Sequence, residues 1–103
     1  MQARDLSRVE GLLLMCKEKS QKIELGLGFI SKIADKTEQL SELDALDREI
    51  KELQNQILHI MKLKNGLVNN DPETIRVINE IELMEDTELN LALKFQKVRK
   101  SIN

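Results

Sequence analysis

The stretch that decides the fold covers residues 43–67 and reads LDALDREIKELQNQILHIMKLKNGL. Its apolar residues recur at alternating intervals of three and four, with one polar interruption at Lys64: Leu43, Leu46, Ile50, Leu53, Ile57, Ile60 and Leu67. An α-helix turns once in about 3.6 residues, so this spacing holds these side chains in one stripe. The same alternation forms the seam of a coiled coil. The stretch therefore predicts a helix that buries one stripe against neighbouring helices.

Two further stripes with the same spacing lie on either side of this stretch. The first comprises Val9, Leu13, Cys16, Ser20, Ile23, Leu27, Ile30 and Ala34. The second comprises Val77, Ile81, Met84, Glu88, Leu91, Phe95, Val98 and Ile102. The first stripe does not run in phase into the stripe of residues 43–67. Three separate helical seams predict an all-α protein.

Capping signals divide the chain into three helices. The tetrapeptides that begin at Ser7 and Ser41 have the order of a capping box, the second in a weaker form. Gly66 is placed to end a helix in the left-handed conformation. Asp71 is placed to cap the next helix, with Pro72 as its first residue. We predict helices over about residues 5–38, 42–65 and 71–101.

These helices can be arranged in two ways. Residues 37–45 hold neither Gly nor Pro, so the first two helices can also form one rod that pairs with the third in a long helical hairpin. Two reversals of the chain instead bring three broad apolar zones to a similar level: residues 12–16, 57–61 and 75–78. We therefore predict a single domain, an antiparallel three-helix bundle with coiled-coil-type packing, and keep the hairpin as the alternative.

Two closely spaced glycines interrupt the second half of the first predicted helix. Gly26 and Gly28 flank Leu27, and each costs a helix about 1 kcal/mol relative to Ala. They predict that this helix is kinked or divided there, or that the backbone of a neighbouring helix approaches closely.

Composition narrows the class of function. The 103 residues carry a net charge of −2 with a pI near 5.5, and the two aromatic residues are both Phe. An acidic chain without aromatic platforms is unlike a nucleic-acid-binding protein. No apolar run approaches the roughly 18 residues of a membrane span, and the start lacks the order of a signal peptide. One cysteine, Cys16, fits a reducing compartment, so we expect a cytoplasmic protein.

Residue types that support catalysis or metal binding are scarce. His59 is the one histidine, and Cys16 falls on the first seam. Zinc takes three or four ligands, and di-iron bundles use Glu-x-x-His pairs, which this sequence lacks. The acidic run from residue 80 to residue 88 predicts a solvated face, except at Glu88, whose seam position calls for a Lys or Arg partner or an opening in the seam. We predict a protein without enzymatic activity, cofactor, metal or small-molecule substrate.

Apolar residues outnumber the positions that three seams provide. The surplus consists of Leu12, Leu14, Met15, Leu58, Met61, Ile75, Ile78, Leu89 and Leu93. Such residues either widen the core or line an exposed groove for another amphipathic helix. We predict a helical adaptor or chaperone that binds a partner protein through this groove. The alternative is a structural homo-oligomeric coiled-coil protein that uses the same residues for self-association.

Two short segments resemble known helical families. Residues 6–14, LSRVEGLLL, resemble the start of the needle-subunit co-chaperones of type III secretion. Residues 28–34, GFISKIA, resemble two turns of the amino-terminal helical bundle of syntaxins. The first likeness implies a secretion chaperone, and the second implies a subunit of a vesicle-trafficking or tethering complex. Each covers one helix or less and carries no diagnostic motif, so neither assigns a site residue.

Overall fold

The chain forms three α-helices that pack into an elongated bundle. The computed structural model describes residues 3–67 and 71–102, with side chains from residue 6 onward. The helices are α1 (Ala3–Ile30), α2 (Lys36–Lys64) and α3 (Pro72–Ile102). Each helix contacts both of the others, in a body that measures 52 × 18 × 18 Å. The predicted three-helix bundle is confirmed, and the long hairpin is excluded because α1 and α2 are separate helices.

Cross-helix contacts fix the direction of each helix. Cys16 of α1 lies beside Gln56 of α2, whereas Gly26, ten residues later, lies against Leu46, ten residues earlier. These two helices are therefore antiparallel. The ion pairs between α1 and α3 advance in the same direction along both helices, so α1 and α3 are parallel. The order is up, down and up, as the bundle prediction requires.

The core is made by the three predicted stripes. Its buried apolar residues are Val9, Leu13, Cys16, Ile23, Leu27, Ile30, Leu43, Leu46, Ile50, Leu53, Ile57, Ile60, Val77, Ile81, Met84, Leu91 and Phe95. Ser20, the polar member of the first stripe, is also buried, and its hydroxyl donates a hydrogen bond to the Lys17 carbonyl at 2.8 Å. That bond satisfies the hydroxyl inside the core, where an unpaired polar group is costly. Most of each stripe is therefore buried, whereas Ala34, the last residue of the first stripe, lies beyond the end of α1 and is exposed.

The predicted boundary between the first two helices, an end near residue 38 and a start near residue 42, is wrong. The break lies at residues 31–35. Asp35 is the N-cap of α2, because its carboxylate accepts a hydrogen bond from the Thr37 amide at 3.0 Å. At the other side of the break, the Gln39 side-chain amide donates to the Ile30 carbonyl at 3.1 Å. These two bonds satisfy one backbone amide at the start of α2 and one carbonyl at the end of α1.

Three other predicted end signals are also wrong. Ser7 and Ser41 lie inside α1 and α2, where the preceding residues are already helical, so neither occupies a cap position. Gly66 does not adopt a positive φ, and α2 ends with Asn65 in the right-handed conformation. The Gly66 amide instead donates to the Leu63 carbonyl at 3.1 Å, a tightened last turn that needs no left-handed residue.

The start of α3 agrees with the sequence. The Asp71 carboxylate accepts a hydrogen bond from the Glu73 amide at 3.2 Å, and Pro72 is the first helical residue. Proline is favoured there because its missing amide would have no partner inside the helix. The predicted cap at Asp71 is confirmed.

Of the predicted outcomes for Gly26 and Gly28, a division of the helix is wrong, and the neighbour that approaches Gly26 is a side chain rather than a backbone. The helix continues unbroken through both glycines. A methyl group added at Gly26 would come within 2.8 Å of Leu46 Cδ2, whereas one added at Gly28 would meet nothing within 4 Å. Gly26 therefore admits the Leu46 side chain of α2, and Gly28 lies on the open side of α1.

Candidate functional site

The nine predicted interaction residues differ in exposure. Leu12, Met61 and Ile78 are half-buried, and the first two pack against the core. The other six keep between 45% and 59% of their surface exposed: Leu14, Met15, Leu58, Ile75, Leu89 and Leu93. Part of the apolar surplus thus widens the core, and the larger part lies on the surface.

Three of the nine residues meet in an open cleft between α2 and α3. This α2/α3 cleft has a volume of about 420 Å³. Its lining residues are Gln54, Ile57, Leu58, Met61, Glu85, Asp86, Glu88 and Leu89. The structure brings Leu58, Met61 and Leu89 together there, and the other six predicted residues lie outside the lining. The cleft therefore combines an apolar floor with an acidic rim.

The floor of the cleft arises from the step between adjacent helical positions. Ile57 and Ile60 are seam residues of α2 and are buried. Leu58 and Met61 each follow one of them, and one residue further along a helix turns the side chain by about 100°. They therefore stand at the edge of the seam. Leu89 of α3 follows the seam position of Glu88 in the same way, so the two edges face each other.

Glu88 takes a partner that the sequence did not predict. It is half-buried, and its Oε1 accepts a hydrogen bond from Gln54 Nε2 at 2.6 Å. The predicted Lys or Arg partner is wrong, because no ion pair of Glu88 occurs among the described side chains. The predicted opening of the seam matches its position in the cleft wall. The carboxylate stays near solvent, which avoids the cost of burying an unpaired charge.

The acidic run on α3 divides into paired and unpaired residues. Glu80 bonds to Arg76 at 3.1 Å and Glu82 lies 3.7 Å from Lys64. By contrast, the described side chains include no cation within ion-pair distance of the three cleft residues Glu85, Asp86 and Glu88. Three unpaired carboxylates along one edge give the cleft a negative potential.

A second apolar surface, which we call the outer face of α1, was largely missed from the sequence. It comprises Gly11, Leu14, Met15, Glu18, Lys22, Leu25 and Phe29. Leu25 is 76% exposed and Phe29 is 60% exposed, more than any of the nine predicted residues. The sequence does indicate that Leu25 is exposed. It lies two residues after the seam residue Ile23, and a turn of about 200° points its side chain away from the core. Leu83 of α3, 64% exposed, was missed for the same reason.

Cys16 and His59 do not form a reactive site with each other. Cys16 is fully buried, and its Sγ donates a hydrogen bond to Gln56 Oε1 at 3.7 Å. Burial raises the pKa of the Cys16 thiol, against a smaller opposing effect of Lys19, so the less reactive thiol form is favoured. His59 is exposed on α2. Across the described residues, no three His, Cys, Asp or Glu side chains converge to hold a metal ion.

Lys19 links α1 to α2 through two carboxylates. Its Nζ lies 2.7 Å from Glu52 Oε2 and 2.9 Å from Glu49 Oε2. Hydrogen bonds to Glu52 and Glu49 raise the pKa of Lys19, and the bond from Lys19 lowers the pKa of Glu49. This clamp lies at the edge of the α1–α2 seam and helps to set the register of the two helices.

Within the described ranges, none of the helices combines the length and apolar character needed to cross a bilayer. The chain matches no protein-family model, no curated protein and no solved structure.

Proposed function

We propose that this protein is a non-enzymatic helical adaptor or chaperone that holds an amphipathic helix of a partner protein in the α2/α3 cleft. The observation that carries the proposal is the pairing of an apolar floor with an unpaired acidic rim. Leu58 and Leu89 are 55% and 59% exposed, although burial of a leucine side chain stabilises by about 1.5–3 kcal/mol. A partner that covers both leucines gains from that burial.

The shape of the cleft supports a helical partner. Two antiparallel helices form its walls, so the groove between them follows their axes. A helix presents apolar side chains at intervals of three and four along one edge, which matches a groove of this kind. Met61 adds an unbranched side chain that adapts to different partners. We therefore expect the cleft to recognise the spacing of apolar residues in a partner helix rather than one particular sequence.

The charge of the rim narrows the partner further. Glu85, Asp86 and Glu88 favour a helix whose apolar stripe is flanked by Lys or Arg. Charges at the edge of an interface act mainly on the association rate and on the choice of partner. We therefore propose a basic amphipathic helix as the ligand. A cytoplasmic location agrees with the single, buried thiol of Cys16.

A designed peptide tests this proposal directly. The probe is a helical peptide with Leu at intervals of three and four, Lys on both flanks and one Trp. The protein contains neither Trp nor Tyr, so the peptide supplies the fluorescence that reports binding. We expect saturable binding that weakens by at least about 10-fold in Leu58→Glu and in Leu89→Glu, because each change puts a charge on the apolar floor.

Matched controls distinguish binding in the cleft from nonspecific binding elsewhere on the protein. Leu93→Glu changes an equally exposed leucine of α3 outside the cleft and is expected to bind the peptide like the unaltered protein. A second peptide with Glu in place of every Lys is expected to bind at least about 10-fold more weakly at low salt. Equal binding by Leu89→Glu, or no binding of the Lys peptide at about 1 mM, would refute the proposal.

A further inference from the structure

We infer that the outer face of α1 pairs with the same face of a second copy of this chain, in an antiparallel homodimer that leaves the α2/α3 cleft free. The inference goes beyond the proposed function and does not rest on it. It rests on the order of residues along the outer face of α1.

The residues of this face form one continuous surface. At about 100° per residue, all seven fall within a wedge of about 100°, on the side of α1 opposite its buried seam. Leu14, Met15, Leu25 and Phe29 each keep more than half of their surface exposed. Gly11 is also exposed, and a methyl group added there would meet nothing within 4 Å. The face therefore has apolar groups at both ends and charges in the middle.

The face is complementary to itself in one direction. When two copies of α1 cross antiparallel about a two-fold axis at Ser20, residues equally distant from Ser20 face each other. Nine residues away on either side, Gly11 faces Phe29, so the smallest side chain meets the largest. Five residues away, Met15 faces Leu25. Two residues away, Glu18 faces Lys22, and the symmetry makes every contact twice.

Charge sets the direction of the pairing. A parallel pair of α1 helices in register would place Glu18 against Glu18 and Lys22 against Lys22, which is unfavourable. The antiparallel pair replaces both repulsions with opposite charges. Both residues can reach a partner helix: Lys22 is 75% exposed although it forms an ion pair with Glu49 at 3.8 Å, and no described side chain forms an ion pair with Glu18.

The size of the face predicts a weak dimer. From Gly11 to Phe29 it is about 27 Å long at about 1.5 Å per residue, and a helix is about 10 Å wide. The resulting contact of roughly 300 Å² per partner is well below the roughly 800 Å² of a standard stable interface. We therefore expect a monomer at low concentration and a dimer at a dissociation constant between about 10 µM and 1 mM.

Sedimentation equilibrium tests the dimer over about 10 µM to 1 mM, a range that brackets this affinity. Interference optics are needed because the chain has no Trp or Tyr. The unaltered protein is expected to move from 11.9 kDa toward twice that mass. Glu18→Lys and Lys22→Glu are each expected to weaken association at least about 10-fold, since each places like charges across the two-fold axis. The double variant Glu18→Lys/Lys22→Glu restores both pairs and is expected to dimerise like the unaltered protein.

Three leucine variants separate the dimer interface from the cleft. Leu25→Glu is expected to abolish the dimer while binding the Lys peptide normally, and Leu89→Glu is expected to lose the peptide while dimerising normally. Leu83→Glu changes a similarly exposed leucine on α3 and serves as the control that leaves the dimer intact. All five positions are on the surface, and circular dichroism confirms that each variant is folded. A monomer at every concentration, or a charge-swapped double variant that stays monomeric, would overturn the inference.

Discussion

Two leucines of α2 show how the inside and the outside of this bundle differ. Leu53 is 0% exposed in the seam, and Leu58, five residues later, is 55% exposed at the α2/α3 cleft. The residue type is the same, and the helical phase alone separates them. The number of apolar residues in this chain therefore does not give the size of its core. Part of that surface stabilises the fold, and part of it is left for other molecules.

The largest expected effect comes from shortening these two leucines. Leu53→Ala removes a fully buried side chain from the centre of the bundle and is expected to lower the free energy of unfolding by about 2–5 kcal/mol. Leu58→Ala is expected to lower it by less than about 1 kcal/mol, because most of that side chain is already in water. Urea denaturation followed by circular dichroism measures both. Similar losses in the two variants would mean that Leu58 belongs to the core.

Gly26 and Gly28 of α1 also differ in exposure. Here we expect the change at the exposed position to stabilise the fold. Gly28→Ala is expected to raise the free energy of unfolding by about 0.5–1 kcal/mol, because alanine favours the helix and its methyl group enters open space. Gly26→Ala makes the same backbone gain but forces Leu46 away from its position, at a cost of about 0.5–1.5 kcal/mol. Thermal unfolding of the two variants is expected to rank Gly28→Ala clearly above Gly26→Ala. The reverse order would contradict the close approach at Gly26.

Replacement of Glu49 is expected to change the free energy of unfolding least, and the size of this change depends on pH. Glu49→Gln is expected to lower the free energy of unfolding by about 0.3–1 kcal/mol near neutral pH, because it weakens the clamp on Lys19. Glu18→Gln, studied at low protein concentration, is the control without an ion pair among the described side chains. Its stability is expected to equal that of the unaltered protein.

The sign of the pH effect follows from the pKa of Glu49, which its bond with Lys19 lowers in the folded state from the ordinary value of 4.5. The clamp therefore stabilises the fold above that value, and the stabilisation is lost as the pH falls through the lowered pKa. Urea denaturation of the unaltered protein and of Glu49→Gln is expected to give converging stabilities in acid. A constant difference down to the lowest pH would rule out this role for Glu49.

Much of the fold could be predicted because burial follows helical phase. The stripe beginning at Leu43 was predictable in this way, and the cap at Asp71 was predictable because Pro72 follows it. The break at residues 31–35 was not, because several cap signals compete and each contributes only about 1 kcal/mol. Asp35 prevails over Ser41 together with the bond from Gln39 to the Ile30 carbonyl, a contact that exists only after the chain reverses.

The candidate site shows a similar division. Leu58, Met61 and Leu89 were identifiable as surplus apolar residues, since they lie one position away from a seam. That they share one cleft depends on the register of α2 against α3, which the contact between Gln54 and Glu88 reports and the sequence does not specify. The sequence therefore predicted residues of the site but not that they lie together in one cleft.

The odd number of helices has a mechanical consequence. A chain that runs up, down and up enters at one end of the bundle and leaves at the other, so Ala3 and Ile102 lie at opposite ends of a body 52 Å long. Tension between these two points pulls α1 and α3 in opposite directions along their common axis. Contacts along the seams then resist in shear, all at once, whereas helices pulled apart from adjacent ends separate one turn at a time. We therefore expect the bundle to resist tension along its long axis through its three seams together.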